Sequence, residues 1–127
     1  MKRAIVIVAT LLAFASLSTV APSPAHATEA QCPAGAFCGW DVVNFQLSPN
    51  TIFSNGFKGC LGVPSGWLDR YSSIKNRSGQ VTRIYGNRSC TGASYTVGDG
   101  RAIGNLCCID TITHTNWDNN IGGVWFQ

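Results

Sequence analysis

The chain has 127 residues, is 45% hydrophobic and only 12% charged, and carries a formal net charge of +3. Two of its nine basic residues, Lys2 and Arg3, stand at the extreme N-terminus, so the remainder is close to neutral, with no basic run and no acidic tail. That balance excludes an electrostatic nucleic-acid binder and a protein drawn to anionic membranes.

Lys2 and Arg3 open a short positive region, Ala4 to Ala15 is apolar apart from Thr10, and the stretch closes on Ala25-His26-Ala27. A membrane-spanning helix needs roughly 18 or more consecutive apolar residues. This run is shorter and is broken by Ser16, Ser18, Thr19 and Pro22. Residues 1–27 therefore read as a signal peptide with a small-x-small cleavage site. Cleavage after Ala27 leaves 28–127 as a single secreted domain without a membrane segment.

All six cysteines, Cys32, Cys38, Cys60, Cys90, Cys107 and Cys108, fall in that domain. An even count in a short exported chain predicts a disulfide framework, because a core of this size needs cross-links that restrict the unfolded chain. Cys32 and Cys38 flank Pro33 and Gly35 in a short span that suits a tight closed loop. The other two bridges are expected to link Cys60 and Cys90 to Cys107 and Cys108, with the assignment open. Cys107-Cys108 lacks the spacing of a zinc ligand pair, and His114 is the only histidine beyond residue 27.

No stretch of ten residues shows clean helical periodicity, and the 14 glycines would interrupt one. Short alternating runs recur instead: Val81 to Tyr85, Ala93 to Val97, the β-branched Ile109 to Thr113, and Val124 to Phe126. Turn signals separate such runs at Ser54-Asn55-Gly56, Pro64-Ser65-Gly66, Arg77-Ser78-Gly79 and Gly98-Asp99-Gly100. Many short strands between turns predict an all-β sandwich of antiparallel strands.

The sequence also repeats internally. Trp67-Leu68-Asp69-Arg70-Tyr71-Ser72-Ser73-Ile74 aligns without gaps on Trp117-Asp118-Asn119-Asn120-Ile121-Gly122-Gly123-Val124. Upstream, Trp40 and Phe45 find counterparts in Tyr85 and Cys90. Each half thus opens with an aromatic hairpin and closes with a Trp-headed segment. This order predicts two four-strand Greek keys packed face to face, the first over 36–78 and the second over 79–127. At matched repeat positions Trp67 and Trp117 read as core anchors rather than as a carbohydrate-stacking face.

These motifs resemble the βγ-crystallin domain. More narrowly, the opening Cys32-Pro33-Ala34-Gly35-Ala36-Phe37-Cys38 and the stretch from Trp67 to Asn76 are similar to the secreted actinobacterial metalloproteinase inhibitors, peptidase inhibitor family 36. The resemblance implies a two-Greek-key, disulfide-stapled β sandwich that is not an enzyme. Its partner would be an extracellular peptidase, met by a monomer through a cysteine-anchored loop of the second half. Ser89, Cys90 and Thr91 are the first candidates for that loop, and Cys108 with the apolar Ile109 the second. The sequence departs from the crystallin pattern at Leu47, where the hairpin glycine is expected, and at Cys90, where an aromatic is expected. Both calcium motifs of the fold are incomplete, with Leu68 in place of an oxygen ligand and Gly122-Gly123 in place of hydroxyls. No cofactor is expected; the only calcium site the resemblance leaves is a composite of Asp118 and Ser72. The alternative reading is a structural or cell-surface module that binds calcium or a wall polymer, or a small exported toxin.

Catalysis lacks its parts. Ser-His-Asp and Cys-His arrangements would both depend on His114, which sits in a polar, β-branched stretch. Glu29, Asp41, Asp69, Asp99, Asp110 and Asp118 lie mostly beside Gly, Asn or Arg in turn-like contexts rather than as an acid–base pair. Asn76-Arg77-Ser78 and Asn87-Arg88-Ser89 fit the glycosylation triplet, and both are expected to stay bare.

Overall fold

The computed structural model describes residues 28–110, 112 and 115–127. The leader expected over 1–27 and His114 lie outside these residues. Eight strands follow in order: β1 Ala36–Trp40, β2 Asn50–Phe53, β3 Gly59–Gly62, β4 Ser73–Arg77, β5 Thr82–Tyr85, β6 Ser94–Val97, β7 Ala102–Ile103 and β8 Gly123–Phe126. The helical pieces among the described residues are three single 3₁₀ turns, at Glu29–Gln31, Val43–Phe45 and Ser65–Trp67.

The strands form two antiparallel sheets, one ordered β2-β1-β4-β7 and the other β3-β8-β5-β6. Adding four to each strand number of the first sheet reproduces the second read backwards, with β7 mapping onto β3. The molecule is therefore two Greek keys, each lending its third strand to the sheet of the other. The inward faces meet in one core, where Phe37, Tyr71, Ile84, Trp117, Val124 and Phe126 are almost wholly buried. Alternation sorts the residues. Along β5, Thr82 and Ile84 point into the core while Arg83 is exposed, and along β8 Val124 and Phe126 are buried while Trp125 is 40% exposed.

The repeat seen in the sequence is a repeat of backbone geometry. Asp69 and Asn119, equivalent positions, both adopt φ 53°. The Asp69 N–H donates to Ile121 O at 3.4 Å and the Asn119 N–H to Tyr71 O at 2.9 Å, the same bond made in each direction. Ser72 N donates to Trp40 O at 2.7 Å, and Gly122 N to Tyr85 O at 2.8 Å. Phe45 and Cys90 match as well, at φ 59° and 53°. Non-glycine residues rarely take such angles, so their pairwise recurrence marks two copies of one folded hairpin.

Turn chemistry behaves as the sequence predicts. Asn55 and Gly56 both have positive φ, and Phe57 N closes the turn on Ser54 O at 2.7 Å. Asn76 is fully buried at the β4–β5 link, donating to Gln80 O and Val97 O and accepting from Ser78. Burial rules it out as a glycan site. The described residues of one expected strand do not form it. Ile109, Asp110 and Ile112 lie in a loop, because the Asp110 carboxylate accepts from Trp117 Nε1 and from Ile112 N and so turns the chain inward. Its β-branched composition is overridden by that buried carboxylate.

Candidate functional site: a loop laid over glycines and tied by a disulfide

The disulfide pairing differs from the expected one. Cys32–Cys38 forms as expected, with Cα atoms 5.7 Å apart, but Cys60 bridges Cys90 at 5.9 Å and Cys107 and Cys108 remain unbridged. The reason is topological. Cys60 sits on β3, which crosses to pair with β8 in the sheet of the second half. That crossing brings Cys60 beneath the loop joining β5 to β6, where Cys90 is the nearest thiol partner. Each bridge covers the outer face of one sheet: Cys32–Cys38 packs with Ala36 and Trp40 on the first, and Cys60–Cys90 lies on the second.

Residues 86–92 form the β5–β6 loop. All are exposed except Cys90, which is 7% exposed. The Asn87 side chain organises it from within: its Nδ2 donates to Thr91 O at 2.7 Å, and its Oδ1 accepts from Thr91 N and Ser89 Oγ, each at 3.1 Å. Cys90 N closes a turn on Asn87 O at 3.3 Å. Beneath the loop lie Gly122 and Gly123. A Cβ on Gly123 would stand 2.5 Å from Asn87 O and 2.8 Å from Cys90 Sγ, and one on Gly122 would stand 2.8 Å from the Asn87 backbone. On β3, Gly62 faces the Arg88 side chain, where a Cβ would stand 3.1 Å from its Nε. Only residues without side chains let the loop settle this close.

The first half fastens its equivalent loop differently. There Ser73, the counterpart of Gly123, accepts from Phe45 N at 3.1 Å and donates to Val42 O at 2.7 Å, while Trp40 and Phe45 stack edge to face. In the second half Gly123 has no hydroxyl and Cys90 stands in place of the aromatic. A covalent tie to Cys60 replaces both. Gly122-Gly123, which in the sequence reads as a damaged calcium motif, is the floor of the loop.

Around this loop the outer sheet face is open. Cys60, Trp125, Arg83 and Thr96 are successive cross-strand partners in one row, and Gly62, Gly123, Tyr85 and Ser94 in the next. Arg83 and Arg88 are exposed and none of the residues of β3, β5, β6 or β8 is acidic. This face offers cations, hydroxyls and one open indole.

Of the residues singled out from sequence, Ser89, Cys90 and Thr91 come together here. Cys108 and Ile109 lie on a separate loop after β7, and that loop has no disulfide to brace it. Trp117 is buried as a core anchor, whereas Trp67 is partly buried against Tyr71 with Arg70 stacked on its ring at 5.2 Å. Asn87 was noted only within a glycosylation triplet and Gly122-Gly123 only as a calcium motif without hydroxyls; the serine-to-glycine change between aligned repeats was the available signal of their role under the loop. Calcium does not fit. Ser72 is buried, with its N donating to Trp40 O and its O accepting from Leu106 N. The surrounding positions, Leu68, Gly122 and Gly123, supply no side-chain oxygen toward the six to eight that calcium requires. No group of three or more metal-binding side chains occurs among the described residues.

A family model described as peptidase inhibitor family I36 matches residues 25–97, more than half of the chain and all of the 86–92 loop. The chain belongs to peptidase inhibitor family I36. No curated protein matches this I36 chain. Solved structures share its fold at low identity. One described as "Evolution of the eye lens beta-gamma-crystallin domain fold" has a TM-score of 0.57 at 20% identity, covering 76% of this chain and 89% of its own. A βγ-crystallin from an archaeon has a TM-score of 0.55 at 18% identity, with 75% and 100% covered. One from Ciona intestinalis has 0.53 at 16%, with 73% and 100% covered. The I36 protein is thus a βγ-crystallin-like all-β domain, and its family points to inhibition of a peptidase rather than to catalysis. No helix among its described residues is long and apolar enough to cross a membrane.

Proposed function

We propose that the protein is secreted and, as a monomer, inhibits an extracellular metallopeptidase by presenting Arg88, Ser89 and Thr91 from the loop tied by Cys60–Cys90. The observation that carries this reading is the way the loop is held. Its side chains face solvent, while its backbone is fixed by the Asn87 bonds, the glycine floor and the disulfide. A loop already ordered loses little conformational freedom on binding, which raises affinity. The same restraint accounts for resistance to cleavage. Peptidases act on an extended backbone, and this one is a turn with Cys90 at φ 53°. A cleft that closes on Arg88-Ser89 meets a peptide that cannot straighten. The metallopeptidase class follows from the resemblance of the Cys32–Cys38 opening and the Trp67–Asn76 stretch to the metalloproteinase inhibitors.

The test is a titration of the purified protein against a thermolysin-like metallopeptidase and a subtilisin-like serine peptidase. Inhibition of the first at micromolar concentration or below is expected, with loss of potency when Arg88 and Ser89 are both changed to glycine. No inhibition of either enzyme would overturn the proposal. The open Trp125 beside Arg83 and Thr96 supports a second reading, a wall-polymer-binding module. That reading predicts retention on insoluble polysaccharide that Trp125→Ala abolishes.

A further inference from the structure

Four of the six cysteines are joined in two bridges, and the other two are consecutive and exposed. Cys107 and Cys108 form the turn after Leu106, where Cys107 N donates to Asn105 Oδ1 at 2.9 Å and Cys108 adopts φ 66°. The adjacent Cys108 side chain is the main cause that raises the Cys107 thiol above its ordinary pKa. No other thiol is free among the described residues, so each sulfur has the other as its nearest redox partner. The surroundings that close Cys32–Cys38 and Cys60–Cys90 act equally on this pair, which is more exposed than either.

We propose that Cys107 and Cys108 are a redox-modification site that closes a vicinal disulfide by exchange with a disulfide oxidant, either a small molecule or the active disulfide of a thiol oxidase. One cysteine thiolate attacks the oxidant, expels one thiol and forms a mixed disulfide. The second cysteine gives up its proton, attacks the cysteine sulfur of that mixed disulfide and releases the second thiol. Two S–H bonds are lost from the protein and one S–S bond is gained; both electrons and both protons end on the two released thiols.

The product differs in kind from the other two bridges. Bridged cysteines usually have Cα atoms about 4.4–6.8 Å apart, as at 5.7 and 5.9 Å here. Neighbours across one peptide bond are only about 3.8 Å apart. Closing that short ring stores strain, and strained exposed disulfides are the reducible ones. The structure thus carries two staples and one reversible bond.

The experiment is peptide mapping of protein isolated without reductant. The peptide containing both cysteines should lack two hydrogens and carry no adduct. In graded glutathione buffers it should regain them at a ratio at least about tenfold less reducing than either staple needs. Maleimide should label no thiol of the native protein but exactly one in each of the single variants Cys107→Ser and Cys108→Ser. Two free thiols after equilibration with excess oxidised glutathione would overturn the proposal. So would a disulfide-linked dimer through either cysteine, or a bridge from either to Cys60 or Cys90. None of these readouts depends on inhibition.

Discussion

Changing both Cys60 and Cys90 to alanine separates two roles of their bridge, holding the fold and holding the loop. The bridge spans 30 residues, and the loop-closure relation assigns about 3.7 kcal/mol to a span of that size. For a domain of this length that loss lowers Tm by about 15–30 °C. At 25 °C the variant should still fold, with the loop held by Asn87 and the glycine floor. Freeing two residues beside Cys90 costs about 2 kcal/mol of ordering on binding, or roughly thirtyfold in Ki. The assays are thermal unfolding by circular dichroism and an inhibition titration at 25 °C. The control is the Cys32→Ala, Cys38→Ala pair, whose bridge spans 6 residues on the other sheet. Its loss costs about 2.2 kcal/mol by the same relation and should leave Ki unchanged. If the Cys60–Cys90 variant loses the expected stability yet keeps its Ki within twofold, the bridge is a staple and not a brace, and the reasoning fails.

Asn87→Ala removes the side-chain bonds to Thr91 and Ser89 from an exposed loop; Ki should rise about tenfold, from about 1–1.5 kcal/mol of lost hydrogen bonding, while Tm moves by only a few degrees. Gly123→Ala would force a methyl to within 2.5 Å of Asn87 O. Denaturant unfolding should show a loss of about 1–3 kcal/mol, against little change for Gly98→Ala, where nothing lies within 4 Å. Burial holds the proton on the Tyr71 hydroxyl, which donates to Asn50 Oδ1, well above the usual tyrosine range. Folding thus favours the neutral phenol. Stability should be intact below about pH 10 and fall above it by about 1.4 kcal/mol per pH unit, a slope that Tyr71→Phe removes from unfolding curves collected at successive pH values.

Much of the fold was legible because repetition shows in sequence. The gapless alignment of Trp67–Ile74 on Trp117–Val124 places Asp69 and Asn119 at one geometry, and the offset from Phe45 to Cys90 does the same for the hairpin tips. Beyond Cys32–Cys38, the pairing of cysteines was not legible. It depends on β3 crossing to the far sheet, and nothing local to Gly59-Cys60-Leu61-Gly62 records which sheet that strand will join. The Ile109–Thr113 run misled because strand propensity is a weak, context-dependent preference, whereas a carboxylate buried at Asp110 must be hydrogen-bonded and so dictates its own backbone. The sequence pointed to this loop through Cys90. Its support was hidden in an absence, glycine at 123 where the first half has serine, whose meaning appears only when the backbone overhead is seen.

The Cys60–Cys90 bond also straddles the exposed peptide link from Arg88 to Ser89. Hydrolysis there would produce two fragments that stay joined, one ending at Arg88 and holding Cys60, the other beginning at Ser89 and holding Cys90. The ladders of β3 with β8, β5 with β6 and β5 with β8 would stitch the same pieces together. A newly made carboxylate and amine would then remain side by side, unable to diffuse apart and positioned to rejoin. A peptidase that succeeded in cutting its captive would gain no departing product, and its cleft would stay filled.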